Sequence, residues 1–94
     1  MAARVAFTPE ALEEAKALLA AEPLDGVKNR VLRIGIGSCG LRRAVAAPAP
    51  VEAGDETLVV DGVPMAIAPT LTGTFHITVG RGRFGAWLNV EHNA

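Results

Sequence analysis

The chain has 94 residues, which predicts a single domain spanning residues 1–94, since two independently folding domains would need a longer chain. Half of the residues are apolar and many of these are alanine, so we expect one thin hydrophobic core. The formal net charge of -1 disfavours general binding to nucleic acid or to an anionic membrane, and no apolar run approaches the roughly 20 residues of a membrane-spanning helix.

The cysteine count and the first residues bear on the cellular compartment. Cys39 is the only cysteine, so an internal disulfide is excluded. The opening Met-Ala-Ala-Arg-Val-Ala-Phe lacks the long apolar run of a secretory signal peptide. We therefore expect a cytoplasmic protein with a reduced thiol.

A short strand and a helix are predicted at the start of the chain. Residues 4–7 are typical of a strand, and Thr8 and Pro9 then suit the N-cap and the first position of a helix. Apolar residues recur every three or four positions over 11–19, which predicts one buried helix face. We expect Pro23 to end this helix.

The next predicted strand leads into the cysteine. Apolar residues at Leu32, Ile34 and Ile36 alternate with other residues, so we expect these three on one buried face. Residues 41–47 can return as the second arm of a hairpin. We expect Pro48 and Pro50 to break that arm, because proline has no N–H to donate.

Two further hairpins are predicted downstream. Residues 57–60 and 63–68 flank Asp61-Gly62, a strong signal for a two-residue turn, and Pro64 is expected on an edge strand or at a strand start.

The last predicted hairpin joins residues 74–79 to residues 86–91 through a turn over 80–85, with His76 on the wetter face. With one helix and no repeated strand-helix alternation, the chain predicts an α+β fold in which one N-terminal helix packs on a mostly antiparallel β sandwich.

Cys39 is the candidate functional side chain, and it stands between Gly37 and Gly40. Glycine is expected where a backbone takes positive φ or where another group must come close, and a thiol on such a turn could reach a metal or a partner. The alternative is a small buried apolar side chain. A nearby arginine could favour the thiolate form of Cys39. At most one of Arg42 and Arg43 can do so, because adjacent residues of a strand point to opposite faces.

The chain is poor in metal ligands and in catalytic signatures. Cys39, His76 and His92 match no standard zinc spacing. Two chains that combined their cysteines and histidines could offer four ligands to an iron-sulfur cluster. The alternative is that the two histidines are solvated side chains that bind no metal. No triad-like signature is present, so we do not expect an enzyme.

Two glycine-rich stretches allow other interpretations. Residues 35–40 are superficially similar to a phosphate-binding loop, but a strand-like segment follows them where such loops feed a helix, so nucleotide binding is disfavoured. Residues 80–85, Gly-Arg-Gly-Arg-Phe-Gly, could stack on RNA, but a hairpin turn with charged flanks is the simpler interpretation.

Four stretches in chain order carry a resemblance to a known family. They are Phe-Thr-Pro-Glu-Ala at 7–11, Leu-Arg-Ile-Gly-Ile-Gly-Ser-Cys-Gly at 32–40, Val-Val-Asp-Gly-Val-Pro-Met at 59–65, and the terminal strand after Gly-Arg-Phe-Gly at 82–85. Together they resemble the HesB-like family, which contains the A-type iron-sulfur cluster carriers. The resemblance spans Val5 to about Asn93 and implies a single HesB-like domain. It assigns Cys39, with Gly37 and Gly40 beside it, a role in binding a cluster or iron.

The sequence also departs from this family. A-type carriers usually have a further cysteine pair near the C-terminus, where this chain reads His-Asn-Ala. Leu41-Arg42-Arg43 stands where the family commonly has a small residue followed by an aromatic one. We therefore expect the fold to be inherited more faithfully than the function.

Two hypotheses follow. In the first, the chain is a divergent iron-sulfur assembly protein in which Cys39 binds iron, cluster or persulfide sulfur, with a homodimer and assembly or recipient proteins as its partners. In the second, a HesB-like fold has lost the cofactor and acts as a small interaction or regulatory module.

Overall fold

The computed structural model describes residues 4–21, 29–37 and 43–93. These residues form β1 (Val5–Phe7), α1 (Pro9–Ala20), β2 (Val31–Ile36), β3 (Ala44–Ala49), β4 (Glu56–Val60), β5 (Val63–Ile67), β6 (Thr74–Gly82) and β7 (Gly85–Asn93). The predicted order of one strand, one helix and a series of strands is confirmed. In the part of the chain described here, no helix is long and apolar enough to cross a membrane.

Both ends of α1 are capped by side chains. Thr8 has an extended backbone and its side chain accepts a hydrogen bond from the N–H of Ala11 at 3.2 Å, so the predicted N-cap is confirmed. At the other end, the Arg30 guanidinium donates to the Ala21 carbonyl at 2.6 Å, which satisfies an otherwise unpaired helix-end group. The helix has already ended at Ala20, before Pro23, which lies outside the described residues.

The strands form two sheets with mixed pairing. One has the order β1-β6-β7 and the other β3-β2-β5-β4. Strands joined by hairpins pair antiparallel, whereas β1 pairs parallel with β6 and β2 pairs parallel with β5. Most of the pairing is thus antiparallel, as predicted, but the prediction did not include the two parallel pairs, which join strands that are far apart in sequence.

One core cluster connects the helix with both sheets. Its members include residues of α1, of the β1-β6 pair and of the β2-β5 pair: Ala11, Ala15, Val5, Phe75, Ile77, Leu32, Ile34, Met65 and Ile67. All are almost completely buried. Ile36, which we expected on the same buried face as Leu32 and Ile34, is 48% exposed because it ends β2 beyond this core.

The turn between β4 and β5 forms as predicted. Asp61 and Gly62 both have positive φ, 50° and 83°, the combination required by a type I′ turn. Pro64 is the second residue of β5, and the pairing of β5 with β2 begins only at Met65. The proline thus stands at the strand start, where its missing N–H leaves the parallel ladder intact.

Pro48 does not break its strand, contrary to expectation. Strand β3 continues through it to Ala49, and Pro48 pairs with Leu32 across the sheet. The reason lies in the strand order, which puts β3 at the outside of its sheet, a position that tolerates a residue without an N–H.

The turn between β6 and β7 is tighter than expected. Only Arg83 and Phe84 separate the two strands, so most of the predicted turn over 80–85 is strand. A Cβ on Gly80 would lie 2.4 Å from the Trp87 indole and one on Gly82 would lie 3.0 Å from it. These glycines therefore make room for Trp87 to lie across the hairpin. His76 is exposed, as predicted.

Candidate functional site

The segment that carries the cysteine connects the two strands of the β2-β3 hairpin. The N–H of Gly37 donates to the carbonyl of Arg43 at 3.0 Å and closes the hairpin below the connection. Residues 38–42, which include Cys39 and Gly40, lie outside the described residues. The role assigned to Cys39 and Gly40 therefore stays a prediction, and the structure bears on their immediate surroundings only.

Two glycines on the approach to Cys39 have packing reasons of their own. A Cβ on Gly35 would lie 2.8 Å from a terminal nitrogen of Arg33, so the missing side chain makes room for that guanidinium. A Cβ on Gly37 would lie 3.3 Å from Cγ1 of Val45, a tight contact across the hairpin. Gly37 does not have a positive φ. Close packing is thus one reason for these two glycines, and the role of Gly37 in binding a cofactor stays a prediction.

The hairpin end is apolar on both faces. Ile36 and Val45 are exposed, and their register positions put them on opposite faces of the β2-β3 pair. Arg43 is exposed beside them. Because they lie on opposite faces, these two side chains do not form one continuous apolar patch.

Arg33, whose side chain lies over Gly35, forms the best-satisfied ion pair near this hairpin. Its Nε and Nη2 donate to Asp55 at 2.8 and 2.9 Å, and Asp55 also accepts from the N–H of Glu52 at 2.9 Å. The hydrogen bond from Arg33, followed by that from the backbone, lowers the pKa of Asp55. The same hydrogen bond to Asp55 raises the pKa of Arg33. This pair fixes the turn before β4 onto β2.

Both histidines belong to the other sheet and have local partners. His76 Nδ1 lies 3.3 Å from Oε2 of Glu91, directly opposite on β7. His92 stacks on Phe75 with ring centroids 4.6 Å apart, and its Nε2 donates to the Thr72 carbonyl at 2.5 Å. Among the described residues, no group of three or more histidine, cysteine, aspartate or glutamate side chains could hold a metal ion. The described residues thus supply no metal site.

Arg4 forms a second cluster that the sequence did not indicate. Its guanidinium donates to the carbonyls of Gly73 and Leu71 at 3.0 and 3.1 Å and forms an ion pair with Glu56. It also lies 5.7 Å from the centroid of the Phe75 ring, within cation-π range. Arg4 thereby connects β1 with β4 and with the segment before β6. No local signal reveals contacts that span 67 and 69 positions of sequence.

A cavity of about 390 Å³ opens beside Arg4. Its lining is of mixed polarity and consists of Arg4, Gly54, Glu56, Ile67, Ala68, Pro69, Leu71, Thr72 and Gly73. The cavity is thus a concave surface with one ion pair at its wall.

Comparisons with known proteins show which fold the chain shares. No protein-family model and no curated protein matches the chain. Among solved structures, it is similar to a crystal structure of IscA with the [2Fe-2S] cluster, with a TM-score of 0.59 and 18% sequence identity, over 94% of this chain and 84% of that one. At this identity the likeness shows the fold alone, so the chain has an IscA-like fold.

Proposed function

We propose that the chain is a divergent protein of iron-sulfur assembly or carriage in which Cys39 binds iron, cluster or persulfide sulfur. The observation that carries this proposal is an IscA-like fold in which the sole cysteine stands two residues after Gly37, on the connection that follows β2. The IscA structure contains a [2Fe-2S] cluster. In the HesB-like resemblance, the corresponding strand leads to the first cysteine ligand.

The donor set of one chain does not complete a cluster site. A [2Fe-2S] cluster takes four protein ligands, usually thiolates, whereas each chain supplies one. His76 and His92 are engaged with Glu91 and with Phe75 and Thr72. The proposed cargo is therefore held between chains, with Cys39 as one soft ligand, at most one further thiolate from a second copy, and the remaining ligands from an assembly or recipient protein.

The same thiol suits sulfur transfer without a metal. The thiolate of Cys39 would attack the outer sulfur of a persulfide donor, the sulfur-sulfur bond of the donor would break, and the donor would leave as a thiolate. Cys39 then carries the persulfide. In both forms of the proposal the chain is a carrier and not an enzyme.

Anaerobic reconstitution with ferrous iron and sulfide tests the metal form of the proposal. We expect cysteine-dependent iron and visible charge-transfer absorbance in the parent chain and neither in Cys39→Ser. His76→Gln is the matched control, because it removes an exposed candidate ligand that the structure pairs with Glu91, and it should bind as the parent does. A colourless parent chain at several protein concentrations, with iron no higher than in Cys39→Ser, would contradict metal binding.

The cofactor-free alternative also has an observation in its favour. The described residues expose large apolar side chains, including Phe84 and Val59. A folded chain that takes up neither iron nor sulfur through Cys39 would favour an interaction or regulatory module with an IscA-like fold.

A further inference from the structure

We propose that the outer end of the β6-β7 hairpin binds single-stranded nucleic acid, with bases stacked on Trp87 and Phe84 and a phosphate held by Arg83. These three residues define a surface that we call the hairpin platform. None of them belongs to the Cys39 segment, so this inference does not depend on the proposed function. It concerns a short single strand held at one place on the surface, whereas the net charge of -1 disfavours general affinity for nucleic acid.

The exposed aromatic residues of the chain meet at this hairpin. The sequence has four aromatic residues, of which Phe75 is buried and Phe7 is half-buried. Phe84 is 99% exposed in the turn, and Trp87 is 49% exposed on β7. Three residues separate them in sequence, so their Cα atoms are at most about 11 Å apart. Bases that follow one another roughly every 3.4 Å along a strand can therefore reach both rings.

Trp87 is held in place before any ligand binds. It lies opposite Gly80 in the strand pairing, and a Cβ on Gly80 or Gly82 would lie 2.4 or 3.0 Å from its indole. Neither glycine has a positive φ, so the position of the ring, and not the backbone conformation, accounts for both. Nε1 already donates to Asn89 at 2.9 Å, which leaves exposed ring atoms for a ligand. A fixed ring loses little entropy on binding and offers a stacking surface to any base.

The charges at this end of the hairpin suit a phosphate. Residues 77–90 contain two arginines and no acidic residue. Arg81 pairs with a glutamate of α1 at 2.9 Å, whereas Arg83 is exposed and has no ion-pair partner among the described residues. Glu91, the first acidic residue after this stretch, lies 3.3 Å from His76. A free guanidinium beside two stacking rings is the combination that typically holds a single strand without reading its sequence.

The same geometry favours a nucleic acid over a lipid surface. A segment that anchors a protein in a membrane interface buries several apolar side chains among the lipids, and stable anchoring takes several basic residues or a lipid chain as well. Here only Phe84 extends from the turn, and Arg83 is the one arginine of the hairpin without a partner among the described residues. Trp87 packs along the strands with its Nε1 satisfied within the chain.

Fluorescence anisotropy of a labelled single strand of about eight nucleotides tests the proposal, since such sites cover roughly 4 to 16 nucleotides. We expect a Kd of roughly 100 µM or tighter at low salt, the weak end of non-specific affinity for nucleic acid. Trp87→Leu, which retains an apolar side chain, and Phe84→Ser should each weaken binding by at least about 5-fold, the smaller loss expected for one unstacked base.

Two control variants should bind the single strand as the parent chain does. Val59→Ser removes another exposed apolar side chain, which belongs to β4 and lies outside the hairpin platform. Cys39→Ser removes the residue on which the proposed function depends. Unchanged binding by Cys39→Ser separates the outcome of this test from that of the iron and sulfur experiments.

Two further ligands separate stacking from charge. An abasic strand of the same length carries the same phosphates without bases, and a duplex keeps its bases stacked inside. Both should bind at least about 5-fold more weakly than the single strand. Arg83→Gln should reduce the slope of log affinity against log salt by about 0.7, the value for one phosphate contact on a single strand. The single strand should also quench the fluorescence of Trp87, the only tryptophan.

Three results would each overturn the proposal: no binding by the parent chain, equal binding of the intact and abasic strands, or binding that survives both aromatic substitutions. A shift of Trp87 emission to shorter wavelength with vesicles of anionic phospholipid, without a response to the single strand, would assign the hairpin platform to a lipid surface instead. Circular dichroism spectra should match across the variants, and Phe84→Ser decides the outcome if Trp87→Leu changes the spectrum, because Phe84 is almost fully exposed.

Discussion

The guanidinium of Arg33 forms two hydrogen bonds with the carboxylate of Asp55, and the Asp55 side chain has no exposed surface. Arg33 belongs to the strand that leads to Cys39, and Asp55 belongs to the turn before β4. The contact therefore fixes the start of β4, an outer strand of this sheet, to β2, the strand that leads to the candidate site.

Asp55→Asn should make the stability of the protein less sensitive to acid. The pKa of Asp55 is lowered in the folded chain, so its ionised form stabilises the fold above the unfolded value of about 4, and this contribution is lost as the pH falls through the folded pKa. The variant should be less stable at pH 7 and should lose less stability as the pH falls below about 4. Urea unfolding at several pH values measures both changes. Glu13→Gln, which alters an exposed helix position, should leave the profile as in the parent.

Gly62→Ala should destabilise the chain by about 1 kcal/mol, because Gly62 has φ of 83° and a side chain there strains the backbone. Nothing lies within 4 Å of the added Cβ, so steric contact does not contribute. Equilibrium unfolding in denaturant gives the free energy. Asp61→Asn at the neighbouring position is the control, since asparagine tolerates positive φ. Equal stability of all three proteins would mean that the turn does not require its glycine.

Gly80→Ala should displace the only tryptophan. The added Cβ would lie 2.4 Å from the Trp87 indole, and this half-exposed ring can move outward into water. The fluorescence emission of Trp87 should therefore shift to longer wavelength, with a loss of stability of only about 1 kcal/mol. Gly62→Ala is a useful comparison, because it should lower stability and leave the emission maximum of the folded protein unchanged. An unshifted emission in Gly80→Ala would show that Trp87 does not rest on this strand.

Ile34→Ala should lower the free energy of unfolding by about 2 to 5 kcal/mol, because Ile34 is completely buried at the centre of β2 and truncation leaves a cavity. Val59→Ala removes an exposed aliphatic side chain and should change it by less than about 0.5 kcal/mol. Denaturant unfolding of both variants gives the comparison. Similar losses at the two positions would be incompatible with the core described above.

Several elements could be predicted because their causes are local. The helix begins where Thr8 and Pro9 provide an N-cap and a suitable first residue, and the β4-β5 hairpin turns where Asp61 and Gly62 tolerate positive φ. The one cysteine and its place after the strand of Arg33 are likewise properties of the sequence itself. These features determined the order of elements and the candidate residue.

Contacts between distant parts of the chain decided the rest. The parallel pairs β1-β6 and β2-β5 depend on how the core packs, and the outer position of β3 is what makes Pro48 acceptable. Arg33 and Trp87 explain three glycines that, in sequence, look like turn or ligand positions. A sequence pattern reports the preferences of neighbouring residues, whereas strand partners, ion pairs and cavities are determined by which surfaces the whole chain buries together.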